Sequence, residues 1–551
     1  VLCATGLLGY FFLVDAEPEL FKQTVFYTLF VTLILLIANL SRQYLSSALP
    51  RRDLLTGLLL GLGSTTLIFL VVGPVLRILA DETNLLSTSM GFFLHREIIN
   101  ITEVLHYYQD THIQTAQIAH RPGLFAFLTS LVHFITGYQW FNGFVLNFCV
   151  GTASIMLFYV FFSACKDRLL GTLCAVMLAA FPVFQLNIAS SGFDALNMLM
   201  VSAVYMQLFR FMEKPDGLQL EALLLLTLLA AQARYETAIL LLPAGLAFLM
   251  RWSVIRQAHY TLALPLIPFL ALPIIWQKKV SATFSNPGEQ VDTTFALANL
   301  GDNALNMVGF FIDTQPRGLQ TRVPIVLLAA LGAVLLVIHL IQRRSQGQPL
   351  PLSFLGLCVL AQAGISGAHF AYYTGNYQFP WISRLAQVQL VWLVPLAAWG
   401  AYQLLIWLRV SKVWQGGLLM LLWLHGLSVA HANTPGKSLL LFREFKHVRE
   451  YIQEHYDPAN TLVINGRSGM FAALGYSAID TGRAHNMVDA LRINMERGLF
   501  QDILIIDTYN LDTNTPDTAY PENIQRQELA RFQIDAGRSA NIYRIERIVP
   551  K

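Results

Sequence analysis

Charge is what this 551-residue chain has least of. Asp, Glu, Lys and Arg make up 13% of it, while 55% of its residues are apolar and its mean hydropathy is +0.51. That is about half the charge of an ordinary soluble domain, which excludes a single soluble globule. Cysteine is scarce too: of five, Cys3, Cys149, Cys174 and Cys358 lie inside apolar runs and Cys165 ends one. No disulfide framework or cysteine metal site is therefore expected in the polar part of the chain. There is no basic tract, and a net charge of +3 argues for no nucleic-acid partner. No HExxH motif, internal repeat or low-complexity segment is present.

The few charges are unevenly placed. Residues 431–551 hold 29 charged residues in 121, about 24%, whereas residues 1–430 hold only 42, about 10%. This predicts a polytopic helical membrane domain, 1–430, followed by a water-soluble domain, 431–551. The chain opens at Val1 within an apolar run and without an initiator Met, so the natural start and any signal it carries are expected upstream.

Apolar stretches of about 20 residues predict thirteen spans, near 1–14, 24–40, 54–78, 141–164, 169–187, 195–212, 218–234, 237–252, 259–276, 323–341, 350–370, 386–406 and 412–430. Alternate short loops then carry Arg42, Arg51 and Arg52; Lys166 and Arg168; Arg210 and Lys214; Arg251 and Arg256; Arg343 and Arg344; Arg409 and Lys412. The positive-inside rule makes these loops cytoplasmic. Two long loops, about 79–140 and 277–322, and the tail then lie on the opposite, extracytoplasmic face. The apolar stretch Gly123–Gly137 is too short for a span and would reverse the charge pattern if counted. It reads as an interfacial helix opened by His120-Arg121-Pro122.

The preceding loop, Glu82 to Ala119, has a helical period, with His95, Glu97, Glu103, His106 and Asp110 available to a cavity. The tail reads as α/β. Helices are expected at 442–456, 484–500 and 524–536, buried strands at 462–465 and 503–507, and an edge strand at 541–549. Asn465-Gly466-Arg467-Ser468-Gly469 follows a strand but lacks the GxGxxG spacing, so it reads as a plain strand-to-helix turn.

Three outer loops carry residues that could do chemistry. Asp81-Glu82 begins one, where a partly buried acidic pair needs a partner or a metal. Asp194 follows Ser190-Ser191-Gly192-Phe193 and reads equally as a helix N-cap. Arg234-Tyr235-Glu236 puts a cation on the non-positive side, which suits a bidentate phosphate contact or an internal ion pair with Glu236 or a loop carboxylate. Arg384 repeats the pattern after Tyr372, Tyr373, Tyr377, Phe379 and Trp381, aromatics expected at any membrane interface. His95, His106, His112, His120 and His133 show no tight ligand spacing. A carboxylate pair with a His is a candidate holder of Mg or Mn.

In this order and sidedness the segments resemble the GT-C superfamily of membrane glycosyltransferases, and more closely its bacterial branch related to protein O-mannosyltransferases and the lipid A aminoarabinose transferase. The carrying residues, over about 54–430, are Ala80-Asp81-Glu82, His120-Arg121-Pro122-Gly123-Leu124, Gly192-Phe193-Asp194-Ala195-Leu196, Ala233-Arg234-Tyr235-Glu236 and Ile382-Ser383-Arg384-Leu385. The family's His-Pro-Pro-Leu is altered here, and two spans precede the one leading to Asp81.

The resemblance implies inverting transfer of a hexosyl or pentosyl group from a polyprenyl-phosphate donor to a glycan, lipid or protein acceptor. The reaction would take place on the periplasmic face of a bacterial inner membrane, with the tail on that face. It makes Asp81 the base. Glu82 and Asp194 position the acceptor or a metal, for which Asp81, Asp194 and His120 are the candidate ligands. Arg234, Tyr235 and Arg384 bind the donor phosphate, and Glu97, Glu103, His106, His120 and Arg121 contact the acceptor or the loop. The alternatives are a lipid or polyanion transporter and a non-catalytic scaffold with a partner-binding tail. A transporter predicts mid-membrane charges and an inverted repeat, and the sequence shows neither.

Overall fold

The computed structural model describes residues 18–45, 51–108, 110–255, 264–283, 295–312, 322–346, 352–373, 375–377, 379–434, 440–510, 515–516, 523–535 and 537–549. The expected first span, 1–14, lies outside them. Among the described residues eight helices are long and apolar enough to cross a membrane: Glu19–Gln43, Arg51–Val71, Asn142–Cys165, Asp194–Glu213, Val323–Ser345, Leu352–Ala371, Arg384–Trp407 and Lys412–Ala432. The helices Arg168–Ala180 and Pro182–Ile188 are long and apolar enough only as a pair, a broken span or a re-entrant loop bent by 69° where Pro182 supplies no backbone donor.

The spans expected at 218–234, 237–252 and 259–276 fall on shorter apolar helices, Gly217–Ala233, Tyr235–Met250 and Leu264–Gln277. At 1.5 Å per residue these reach about 25 Å at most, short of a hydrocarbon core about 30 Å thick. The thirteen expected spans are thus not all full-length helices. The chain is an integral membrane protein nonetheless.

It divides into two compact units. The first comprises Val1–Arg77, His120–Phe125 and Phe144–Asn433, and the second Ile78–Ala119, Ala126–Gly143 and Thr434–Lys551. In the first unit the apolar helices bury Phe181, Phe184, Ile188, Val201, Leu223 and Val394. The helices Val323–Ser345 and Arg384–Trp407 cross at Gly332 and Gly400. A methyl group on either would overlap the other helix's backbone, at the Leu396 and Leu328 carbonyls respectively, the close approach that small residues permit between membrane helices.

The second unit is built on an eight-stranded sheet: β1 Ile99–Tyr107, β2 Asp110–Ile118, β3 Thr461–Ile464, β4 Ser477–Ile479, β5 Asp502–Asn510, β6 Thr515–Pro516, β7 Ile524–Gln533 and β8 Arg538–Ile548. The order is β2-β1-β4-β3-β5-β8-β7, with β6 paired to β5. The core trio β4-β3-β5 is parallel and the flanks are antiparallel. The α/β reading of the tail therefore holds with two corrections, and the 82–119 loop takes a third.

The helical reading of 82–119 is right only for the Leu79–His95 helix. Beyond it, Ile98, Ile99, Ile101, Thr102 and Val104 are β-branched and suit a pleated surface, and β1 and β2 form a hairpin that joins the tail's sheet. The expected helix 524–536 is instead the edge strand β7, where antiparallel pairing with β8 along its length overrides the helix propensity of Gln, Glu, Leu, Ala and Arg. The expected edge strand 541–549 lies inside the sheet, as β8.

Glu103 fastens this hairpin. Its carboxylate is buried, receives the Asp480 N–H at 2.8 Å and the Thr115 hydroxyl, and pairs with Arg483 Nε at 2.7 Å. Of the acceptor or loop contacts expected of Glu103, these are contacts of the loop itself. His106 lies in the same hairpin: its backbone N–H donates to Ser477 Oγ at 2.7 Å, its Nδ1 lies 3.1 Å from Thr111 Oγ1, and burial lowers its pKa. Removing one partner of a buried ion pair costs about 3 kcal/mol or more. Glu103→Ala is expected to lower the unfolding free energy by about that amount, and protease susceptibility of the 99–118 segment in the full-length protein checks it.

His133, on the Leu124–Thr136 helix, is fully buried, with Nε2 2.9 Å from Ser89 Oγ and Nδ1 2.7 Å from Asn142 Nδ2. Burial pushes its pKa down to about 4, against a smaller upward pull from the Gly137 backbone. The unfolded chain then binds an extra proton between the ordinary value near 6.5 and about 4. The contribution is present above pH 6.5 and is lost as pH falls through that window, by up to about 3 kcal/mol. His133→Gln is expected to flatten this pH dependence of the melting temperature.

Candidate active site

The first unit gathers charged and polar groups from four segments. The Gly217–Ala233 helix ends at Arg234, whose extended backbone (φ −151°, ψ 149°) turns the chain into the Tyr235–Leu240 turn. The Thr237 hydroxyl secures that turn by donating to the Ala230 and Arg234 carbonyls at 2.5 and 2.6 Å. The Arg234 side chain, 13% exposed, pairs with both Asp194 and Glu236. Glu236 in turn lies 2.9 Å from His369 Nε2.

Asp194 stands in the first turn of its own helix, where the helix dipole favours an anion. Ahead of it, Asn147 Nδ2 holds the turn by donating to the Ser190 and Gly192 carbonyls at 2.6 and 2.9 Å. One Asp194 oxygen meets Arg234. The other lies 3.6 Å from Arg384 Nη1. Both guanidinium groups also rest against the Phe193 ring, 4.8 and 5.6 Å from its centroid, a cation–π arrangement.

Three of the predicted site residues thus converge, Asp194, Arg234 and Arg384. The internal ion pair envisaged for Arg234 is present with both acids. Tyr235, grouped with them by sequence, is 45% exposed. His120 and Arg121 contribute their carbonyls to Gln277 Nε2, at 3.4 and 2.8 Å. Arg121 is also felt at Tyr372: burial and then Tyr373 push that hydroxyl up to about 12, while Arg121 and Arg234 pull it down.

In the second unit, Asp81 and Glu82 are buried in the first turn of the Leu79–His95 helix, and Glu82 Oε1 accepts the Ile78 N–H at 2.8 Å. Glu82 is therefore a cap that holds the helix start presenting Asp81. Glu97, partly buried just beyond the helix, accepts the Ile99 N–H through its carbonyl at 3.0 Å. Among the described residues no three His, Cys, Asp or Glu side chains are grouped to hold a metal. Asp194 is engaged by the guanidinium groups of Arg234 and Arg384, a cationic setting unlike that of a metal-binding carboxylate.

No family model and no curated protein matches the sequence. Solved structures do match in fold. ArnT from Cupriavidus metallidurans bound to undecaprenyl phosphate aligns over 88% of this chain and 97% of its own, at 12% identity and a TM-score of 0.51. The chain shares this fold. The archaeal oligosaccharyltransferase AglB from Archaeoglobus fulgidus, in complex with an inhibitory peptide and a dolichol-phosphate, aligns over 86% of this chain and 75% of its own, at 12% identity and a TM-score of 0.44.

Three residues that the sequence did not single out also bear on this site. Arg77, folded into the 54–78 segment, is 3% exposed, donates to Asn187 Oδ1, and reaches Ser383 Oγ at 2.6 Å, one residue before Arg384. Asn187 donates onward to Gln387. The signal was available, since Arg77 breaks the charge rule as Arg234 does. Tyr377, read as an interfacial aromatic, is 1% exposed, and its hydroxyl makes no hydrogen bond among the described residues. His369, inside an apolar span, carried no sequence signal at all.

Proposed function

We propose that this protein is an inverting membrane glycosyltransferase that moves a sugar from a polyprenyl-phosphate donor to an acceptor hydroxyl. The observation that carries the reading is the convergence of Arg234 and Arg384 on the two oxygens of Asp194 in a chain of GT-C fold. Guanidinium groups held in a poorly solvated site stabilise the charge that develops on a departing phosphate. The similar ArnT structure holds undecaprenyl phosphate, which supports a lipid phosphate as the group these arginines receive.

The acceptor oxygen attacks the anomeric carbon from the face opposite the phosphate. The bond between that carbon and the phosphate oxygen breaks, and its electron pair leaves with the phosphate. The acceptor proton passes to a carboxylate base, the role that the family resemblance gives to Asp81. Arg234 and Arg384 hold the leaving phosphate, and Arg77 positions Arg384 through Ser383. The buried Tyr377 hydroxyl supplies a polar contact to the sugar or phosphate. The loop charges support a site and a polar domain on the extracytoplasmic face of a bacterial plasma membrane, with a glycan, lipid or protein as acceptor.

Native mass spectrometry of the detergent-solubilised protein tests the donor class. Undecaprenyl phosphate is expected to bind one per chain in preference to phosphatidylglycerol. Equal retention of both lipids would remove the donor assignment.

A further inference from the structure

We infer that Asp194 is a release device: its carboxylate competes with the spent lipid phosphate for the same two arginines. The inference rests on the reading of the site given above and adds to it a control on product departure.

Asp194 bridges the two cations as a phosphate would, with Oδ1 on Arg234 and Oδ2 3.6 Å from Arg384 Nη1. All three side chains are largely withdrawn from solvent, at 7%, 13% and 11% exposure for Asp194, Arg234 and Arg384, so little water screens one anion from another. Carboxylate and phosphate are alternative ligands of the arginine fork. A phosphate arriving at these guanidiniums meets a resident anion and must displace it or share its partners. Phe193, against both guanidiniums, keeps the pair together whichever anion is bound.

The reaction makes this competition useful. Before transfer the donor phosphate is a diester with one negative charge. Breaking the bond to the anomeric carbon leaves its electron pair on the phosphate, and the acceptor's proton goes to the base. The product is therefore a monoester that carries about 1.5 to 2 negative charges at neutral pH. Two buried arginines without a competitor would hold this product more tightly than the donor, and turnover would stall. Asp194 opposes the dianion more than the monoanion and so favours release. Glu236 is the internal comparison, since it engages Arg234 and His369 while Asp194 engages Arg234 and Arg384.

The test is the Kd for undecaprenyl phosphate, measured on the full-length protein in nanodiscs for the wild type, Asp194→Asn and Glu236→Gln. Asp194→Asn keeps the shape and removes the competing charge. Its Kd is expected to fall about tenfold, with a smaller change for Glu236→Gln. Its steady-state kcat and donor KM are expected to fall together, and added undecaprenyl phosphate should inhibit it at lower concentration than the wild type. A purely structural Asp194 would give the opposite sign, weaker binding with a lower melting temperature, and that result overturns the inference. Unchanged binding in Asp194→Asn beside a wild type that binds also overturns it, and leaves the donor assignment standing. A wild type that does not bind undecaprenyl phosphate overturns the donor assignment itself.

Discussion

Asp81→Asn is expected to abolish sugar transfer, with a rate loss of about 10² to 10⁴, the contribution typical of a positioned general base. The substitution keeps the size of the side chain and its place in the first turn of the Leu79–His95 helix, where Asp81 is 6% exposed. The melting temperature should therefore move little while the transfer rate collapses. Glu82 separates the two kinds of effect. Its Oε1 caps the helix through the Ile78 N–H, so Glu82→Gln can keep that acceptor and should retain most activity. Glu82→Ala loses the cap at a cost of about 1 kcal/mol and disturbs the turn that carries Asp81. A thermal melt alongside each transfer assay checks all three.

Arg384→Gln and Arg234→Ala are expected to fail differently. Arg384 lies 3.6 Å from Asp194, too long for a good hydrogen bond, so its loss should weaken donor binding more than folding. A charge-assisted contact to phosphate contributes about 1.5 to 3 kcal/mol, so the Kd for undecaprenyl phosphate should rise roughly ten- to a hundredfold. Arg234 pairs with two carboxylates that are themselves 7% and 11% exposed. Removing it takes the guanidinium away from both at once, which costs about 3 to 5 kcal/mol for a buried pair. Arg234→Ala should therefore unfold at distinctly lower temperature as well as lose binding. Lipid binding and thermal unfolding, measured on the same preparations, resolve the two.

What could be read in the sequence followed physical rules that act locally. Apolar length marked the long spans, because a bilayer requires about 20 apolar residues whatever the fold. It overstated the helices at Gly217–Ala233, Tyr235–Met250 and Leu264–Gln277, since hydropathy registers apolar content and not where a helix breaks. The Arg234 and Arg384 positions stood out because they oppose the loop-charge pattern, and the structure brings both to Asp194. Arg77 met the same criterion and was hidden by being counted inside a span.

The hairpin of β1 and β2 escaped because its pairing with β4 is made to residues nearly 400 positions later, Val104 to Ala478. The same long-range pairing explains Glu103, whose partners Asp480 and Arg483 lie in the tail and turn a candidate loop contact into a structural clamp. β7 was misread because its residues favour a helix in isolation and only its alignment with β8 makes it a strand. His369 was invisible because a lone histidine in an apolar span acquires meaning only once Glu236 is found beside it.

Breaking the bond between a sugar and a lipid phosphate is the step that defines the proposed activity. The direct measurement supplies the purified full-length protein in nanodiscs with a phosphorus-labelled undecaprenyl-phosphate sugar pool and an acceptor-containing membrane extract, and follows the lipid product. Free undecaprenyl phosphate is expected to accumulate with the sugar appearing on an acceptor, and both are expected to be lost in Asp81→Asn. Donor lipid that crosses or binds the membrane protein with its sugar still attached, in the wild type and the variant alike, would contradict it and favour a transporter.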